Sequence, residues 1–527
     1  MRGKPGRAAF VFVAPLYLLA AFLVVGSAAI VTATVGSAAE GAELERVQAE
    51  EIRWRGVIAG ALEFVVTFSP AEGGGYTARI DIPAQGLSDA ALTDVVYTDT
   101  EIAFTLPIAP PSGAVWRASR EAGADTASGE LEQGSSRVPF TMEMLAEGEE
   151  AGPARPQTPE PPFPYTEREV RYTNAADGTV LAGTLTVPAG AGPFPTALLI
   201  SGSGPQNRDG ELLGHKPFLV LADHLARHGV AVLRLDDRGV GGSSGDVAAA
   251  TSADFAGDVL AGVEFLAGQP EIDAARIGLI GHSEGGIVAA LAAARSDDVD
   301  WVVLMASPGL PGSELMVMQL AAVQRSIGRP EANIERQIEV QRRLLALAAA
   351  GADRAALRDA VAELTAIQIA AMPAAQRPDE EELAPAIEAQ AEQLMTPWWR
   401  FFLSHDPRQT LRGVRCPVLA LNGSLDTQVP AGPNLAAIEA ALTAGGNDDF
   451  VVEELAGLNH LFQSARSGGP AEYAQIEETI APAALERITA WILERQADPR
   501  DPRPDPIGQA GGLPSSRLSD KLLGRAP

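Results

Sequence analysis

Cysteine is almost missing from this chain of 527 residues, where Cys416 is the single copy. An internal disulfide is therefore excluded, and a lone thiol has no metal-ligand spacing. Its place beside the apolar run Val418-Leu419-Ala420-Leu421 marks it as a core residue. Basic residues are also short: 40 Lys and Arg stand against 68 Asp and Glu, a formal charge of −28. Such a surface repels phosphate backbones, which argues against nucleic-acid partners and fits solubility as the main role of the charge. Histidine occurs six times. His224 and His228 have metal-binding i, i+4 spacing, but no Glu lies between them in the metalloprotease arrangement. Neither a metal site nor a cofactor motif emerges.

The N-terminus is unlike the rest. Arg2, Lys4 and Arg7 precede a nearly charge-free stretch from Ala8 to Ala39, ending in Ser37-Ala38-Ala39. Residues 1–39 fit a secretory signal cleaved near Ala39. The run is also long enough to be retained as a membrane anchor. Either way the remainder is expected outside the cytoplasm, in periplasmic, secreted or membrane-anchored form.

Residues 45–147 show short β-like runs broken by turns, such as Leu62–Phe68, Tyr76–Ile82 and Glu101–Leu106. Their near-regular spacing predicts a small antiparallel barrel or sandwich, with a spacer or binding role. Residues 148–165 form a Pro/Glu-rich linker, and 496–527 a tail expected to be disordered. Between them, over 166–495, apolar runs alternate with helical patterns, which predicts an α/β domain built on a parallel sheet. Candidate strands are Thr196–Ser201, Val230–Leu235, Ile277–Ile280, Trp301–Met305, Pro417–Leu421 and Phe450–Leu455. The interval of about 311–400 is rich in Ala, Leu, Gln, Arg and Glu. It reads as a helical lid over the strand C-termini, where ligands of open α/β sheets bind.

The chemistry gathers around Gly281-His282-Ser283-Glu284-Gly285. A strand, a Gly-x-Ser-x-Gly turn and a small-residue helix together present a serine nucleophile above the sheet edge. A second match, Gly241-Gly242-Ser243-Ser244-Gly245, has no strand leading into it and reads as a loop. A serine hydroxyl needs a base in reach and an acid to orient that base. On such a sheet these follow in the order Ser, Asp or Glu, His, on loops after late strands. Asp426 follows the Pro417 strand, and His460 follows the next. His282 reads as a packing residue, His224 and His228 as capping or solvent-facing, and His215 and His405 as lying in other segments. The oxyanion donors are expected to be the backbone N–H groups of Glu284 and Ser203, each typically worth ~2.7–4 kcal/mol of barrier.

Five ordered motifs carry a family resemblance: Ser201–Asp209, Asp237–Ser243, Gly281–Gly286, Leu421–Pro430 and Asn459–Gln463. Residues 166–495 resemble the α/β-hydrolase superfamily, and within it serine esterases with a Ser-Gly-Ser-Gly-Pro-Gln oxyanion loop. Residues 45–147 resemble, at a lower level, the N-terminal β module of some members. The resemblance implies hydrolysis of carboxylic esters, often short-chain, by a Ser283–Asp426–His460 triad without a cofactor. Glu284 stands where Gln or Met is more usual, and its side chain is expected to disfavour anionic substrates. Trp398, Trp399, Phe401 and Phe402 shape the acyl pocket or form lid core. Two rivals remain: a peptidase on the same fold, binding a substrate ammonium through Asp379-Glu380-Glu381-Glu382, and a non-catalytic binder acting through its β module.

Overall fold

A computed structural model describes residues 51–496, apart from 59–61, 72–73, 83–86, 108–112, 134–135, 147–148, 150–152, 373–376 and 378–379. Residues 1–39, expected to be a signal or anchor, residues 497–527 and Asp379 lie outside the described residues, as do the side chains of Glu380, Glu381 and Glu382.

The first part is a nine-stranded antiparallel meander of β1 (Ile52–Ile58), β2 (Leu62–Pro70), β3 (Tyr76–Ile82), β4 (Leu87–Ala91), β5 (Thr93–Tyr97), β6 (Glu101–Leu106), β7 (Ala114–Ser119), β8 (Thr126–Gln133) and β9 (Ser136–Met144). Period-two patterning aims one face inward: along β6, Ile102, Phe104 and Leu106 are buried while Glu101 is exposed. The inner face is filled by aromatics, with Trp116 against Phe64, Phe104 and Phe140 at ring separations of 4.7, 5.3 and 5.1 Å. The sheet order runs from β4 at one edge to β5 at the other, yet these strands are joined through Leu92 alone. The Leu92 N–H bonds Ala78 O on β3. The two edges therefore meet, and the sheet curls into a barrel-like form, the first of the two shapes its spacing suggested.

The second part is an eight-stranded sheet of β10 (Thr166–Thr173), β11 (Val180–Val187), β12 (Phe194–Ile200), β13 (Ala231–Leu235), β14 (Ile272–His282), β15 (Trp301–Met305), β16 (Val418–Gly423) and β17 (Phe450–Leu455). Its order is β10-β11-β13-β12-β14-β15-β16-β17, antiparallel at β10–β11 and β11–β13 and parallel thereafter. Helices α1 (Pro217–Arg227) and α11 (Pro482–Gln496) cover one face. The other face carries α2 (Ser252–Ala267), α3 (Glu284–Ala293) and α10 (Ala431–Gly445). Covered on both sides, the central strands need no polar face, and every residue of β15 is buried. Helix α3 is buried at all ten positions. The chain leaves β12 for β13 on one side and then crosses to β14 on the other, creating the switch point beside which Ser283 emerges. This is the α/β-hydrolase fold that the motifs implied.

Between β15 and β16 lie α4 (Gly312–Ser326), α5 (Glu331–Ala349), α6 (Arg354–Ala370), α7 (Glu380–Gln393), α8 (Pro397–Ser404) and the short α9 (Pro407–Leu411). The Pro/Glu-rich segment before β10 is strapped to the sheet domain by polar ties. Arg155 donates to the carbonyls of Leu213, Ala474 and Ile476, while Gln157 accepts from the N–H groups of Thr479 and Ile480. Composition predicts that such a segment cannot build a core, and it docks without one. Among the described residues no helix is long and apolar enough to cross a membrane.

Candidate active site

Strand β14 runs into Ser283, whose backbone sits at φ 56° and ψ −122°, before α3 begins at Glu284. Such a conformation in a non-glycine residue costs roughly 1–3 kcal/mol and persists only where surroundings enforce it. Here the Ser283 N–H donates to Met305 O at 2.8 Å, and its carbonyl accepts from Gly286 N–H at 3.0 Å. The start of α3 is pressed against its neighbours. A Cβ at Gly285 would lie 2.2 Å from Ile200 O, and one at Gly286 would lie 2.3 Å from Ser307 Oγ. Across the site, a Cβ at Gly202 would fall 3.3 Å from Ser283 Cβ, so the Ser201–Gln206 loop passes directly beside the serine. As the first residue of α3, Glu284 has an N–H without an acceptor inside its own helix.

Asp426 sits in the turn after β16. One carboxylate oxygen accepts the N–H groups of Gln428 and Val429, both at 2.8 Å. The other accepts from His460 Nδ1 at 2.8 Å. That bond assigns the Nδ1–H tautomer and leaves Nε2 with its lone pair. His460 is held by its neighbours in the Asn459–Gln463 turn. Asn459 Oδ1 accepts from the N–H groups of Leu461 and Gln463, and Asn459 Nδ2 donates to Gln463 Oε1. Buried His215 touches Gln463 Nε2 at 2.9 Å and Thr479 Oγ1 at 2.9 Å, bracing this turn from behind. Burial lowers its pKa to about 4.

His282 does more than pack. Its Nε2 lies 2.9 Å from His460 O, and the two rings are 4.8 Å apart. Burial, reinforced by the neighbouring His460, lowers its pKa to about 3, so the ring is neutral and donates to that carbonyl. Ser283 is thereby joined through its sequence neighbour to the histidine loop. No spacing signal in the sequence distinguishes this role from packing.

The Glu284 side chain departs from expectation. Its carboxyl is buried and receives Ser252 Oγ at 2.6 Å and Trp398 Nε1 at 2.7 Å on one oxygen, with the Ser203 side chain near enough to favour its charged form. Burial raises its pKa against the pull of those three side chains. A carboxyl so enclosed is not placed to repel an anionic substrate. A second carboxyl, that of half-buried Asp237, accepts from Ser201 Oγ at 2.6 Å and Gln206 N–H at 2.9 Å. Burial pushes it up to about 7 despite those bonds, and the Glu284 and Asp236 charges add to the rise.

Among the lid aromatics, Trp398 of α8 belongs to this network and stacks on Phe402 at 5.0 Å, while Trp399 packs edge-on against both. Phe401 stacks on His405, whose Nε2 lies 3.2 Å from Thr410 Oγ1. Ser243 lies in a loop, where its hydroxyl donates to Asp236 O and accepts from Ala182 N–H. His228 bonds the carbonyl of His224 on α1. Cys416 is half-buried against the core, and burial pushes its thiol up to about 12. Among the described residues, no three His, Cys, Asp or Glu side chains group as a metal would require.

The sequence model of the X-Pro dipeptidyl-peptidase (S15) family matches residues 177–447. The esterase EstD of Thermotoga maritima is 32% identical over 164 residues, which are 31% of this chain and 39% of that protein's length. The chain thus spans well under half of that curated relative. Among solved structures, the Pyrococcus furiosus esterase Pf2001 aligns over 65% of this chain and 98% of its own, at 16% identity and TM-score 0.40. The α/β hydrolase GrgF of a Penicillium species aligns over 56% and 91%, at 20% identity and TM-score 0.35.

Proposed function

Because the chain belongs to the X-Pro dipeptidyl-peptidase (S15) family and is a serine hydrolase of the α/β-hydrolase fold, we propose that it is an exported carboxylesterase acting on short-chain esters. The observation that carries the site assignment is the Asp426–His460 bond, which leaves the imidazole Nε2 free to take a proton while the strained elbow presents Ser283. In this reading Ser283 Oγ attacks the ester carbonyl carbon and His460 Nε2 accepts the hydroxyl proton. Asp426 holds the tautomer and stabilises the imidazolium. The backbone N–H groups of Ser203 and Glu284 receive the oxyanion. His460 returns the proton to the departing alcohol, leaving an acyl-serine. Water, deprotonated by the same histidine, then releases the carboxylic acid and restores the hydroxyl.

The family's name favours a second reading, cleavage of X-Pro dipeptides from peptide N-termini. Such a substrate brings an ammonium that needs a free carboxylate. Two carboxyls near Ser283, those of Asp237 and Glu284, already accept donors from the protein itself. The likeness to the Thermotoga esterase supports the ester reading. Steady-state kinetics on p-nitrophenyl acetate and butyrate, beside Ala-Pro p-nitroanilide, separate the two. Esters are expected to give the higher kcat/KM, with all turnover lost in Ser283→Ala. Preference for the anilide would establish the peptidase reading, and turnover surviving Ser283→Ala would remove the mechanism. Export is supported by the charged-then-apolar pattern of residues 1–39. The intact mass of protein recovered from the native compartment tests it and distinguishes cleavage near Ala39 from a retained anchor.

A further inference from the structure

The Ser201–Gln206 loop must hold one N–H at a fixed point beside Ser283, yet its sequence is poorly suited to rigidity. It contains Gly202 and Gly204, the latter at φ 92°, and its one apolar residue, Pro205, is exposed and does not lock it into the core. What fixes it is a set of contacts to carboxyl groups. Asp237 takes Ser201 Oγ with one carboxyl oxygen and Gln206 N–H with the other, spanning both ends of the loop. The Asp237 N–H returns a bond to Gln206 O at 3.1 Å. The Glu284 carboxyl lies beside the middle of the loop, near enough to the Ser203 side chain to feel it electrostatically. Its carboxyl is itself fixed by Ser252 at the start of α2 and by the Trp398 indole of α8, so the lid contributes to the same point.

We infer that Asp237 and Glu284 are the positioning residues of the oxyanion hole, clamping the Ser201–Gln206 loop from its ends and its middle, with Trp398 as the lid's contribution to the clamp. The inference rests on the reading of Ser203 and Glu284 N–H groups as the oxyanion donors. Neither carboxyl touches the reacting atoms; each acts through the loop. Burying a carboxyl is costly, and apolar packing would stabilise the fold more cheaply. Two carboxyls converge on this one loop, and Asp237 receives both a hydroxyl and an N–H that the loop itself supplies. The geometry also specifies which replacements can work. In an amide at 237, the oxygen can still accept from Gln206 N–H while the NH2 group donates to Ser201 Oγ, which turns to accept. In an amide at 284, the oxygen can keep Ser252 and Trp398 while the NH2 group donates to the Ser203 hydroxyl. Alanine at either position can do neither.

The test is steady-state hydrolysis of p-nitrophenyl acetate, with active sites counted by stoichiometric labelling with a fluorophosphonate, so that unfolded protein is excluded from kcat. Asp237→Ala and Glu284→Ala are each expected to lower kcat by about ten- to a hundredfold, with KM changed by less than about threefold. Asp237→Asn and Glu284→Gln are expected to recover at least about tenfold of the alanine loss. Ser201→Ala and Ser203→Ala remove only the loop hydroxyls and keep every backbone N–H. They are expected to lower kcat in the same sense, which keeps the test decisive if the carboxyl variants fold poorly. Wild-type kcat per labelled site in the serine variants, or amide variants no better than alanine ones, would overturn the clamp. Loss of labelling and turnover in Ser283→Ala, alongside wild-type kcat in Ser201→Ala and Ser203→Ala, would overturn it while leaving the proposed function standing. Turnover retained by Ser283→Ala would instead remove the underlying mechanism.

Discussion

The backbone of Ser283 is a strained conformation in the site, and its cost can be separated from its chemistry. Ser283→Ala removes the nucleophile and keeps the φ of 56° unfavourable, whereas Ser283→Gly removes the nucleophile and relieves the backbone. Both variants are expected to lose turnover. The glycine variant is expected to be about 1–2 kcal/mol more stable than the alanine variant in urea denaturation, once the greater unfolded-state entropy of glycine is subtracted. Equal midpoints would mean that the elbow carries no strain. Asp426→Asn probes orientation instead. Its oxygen would keep the N–H groups of Gln428 and Val429, placing an NH2 group against His460 Nδ1 and forcing the wrong tautomer. A fall in kcat of up to about 10⁴ is expected, with the fold unchanged by circular dichroism. The placement of Ser283, Asp426 and His460 after strands is legible in the sequence, because each follows an apolar run in a fixed chain order. The roles of His282 and Asp237 are not, because they depend on atoms of segments far away in the chain. The Glu284 side chain was misread for the same reason: spacing names its neighbour Ser283, but not the Ser252 and Trp398 donors that enclose it.

At the scale of elements, the close seat of α3 on the end of β12 couples the elbow to the loop opposite. A methyl group at Gly285 would stand 2.2 Å from Ile200 O and 2.5 Å from Ser201 O, both backbone atoms that cannot turn aside. Gly285→Ala is therefore expected to cost on the order of 2–4 kcal/mol and to lower kcat by displacing Ser201. Stability and kcat like the wild type would show that α3 can shift without consequence. The strap before β10 acts on the other side of the site. Gln157→Ala would leave the N–H groups of Thr479 and Ile480 without their acceptor, a loss of about 1–3 kcal/mol by thermal denaturation. The core strands from β12 to β16 stand out as apolar runs because both their faces are covered, whereas the edge strand β17 shows only through Phe450-Val451-Val452. Strands β10 and β11 escaped notice for different reasons. Along β10 only Val170 and Tyr172 are buried, and β11 interleaves Gly183, Thr184 and Thr186 among its apolar residues. The strap was likewise hidden, since polar composition reveals no core, and backbone carbonyls 300 residues onward leave no mark on it.

For the whole molecule, the excess of acid on the surface contrasts with a set of interior groups held neutral by burial, and the two kinds of interior group pull stability in opposite directions with pH. His282 and His215, lowered to about 3 and about 4, stay neutral in the fold while the unfolded chain takes up protons below about 6.5. Their contribution is lost as the pH falls through that range. Asp237 works the other way. Raised from 3.8 to about 7, it keeps a proton in the native state that the unfolded chain has already released, so rising pH destabilises the fold from about 4 up to about 7. The opposed slopes flatten the wild-type curve where they overlap. Asparagine at 237 preserves the hydrogen-bonding shape and cannot ionise. Urea denaturation of wild type and Asp237→Asn at a series of pH values isolates the carboxyl, because every other group cancels in the difference. The variant is expected to gain stability relative to wild type as the pH rises from 4 to 7, by at most about 4 kcal/mol, and to hold that difference constant above pH 8. A difference independent of pH would show that Asp237 releases its proton equally readily in the folded and unfolded chains, and that burial beside the oxyanion loop carries no electrostatic cost.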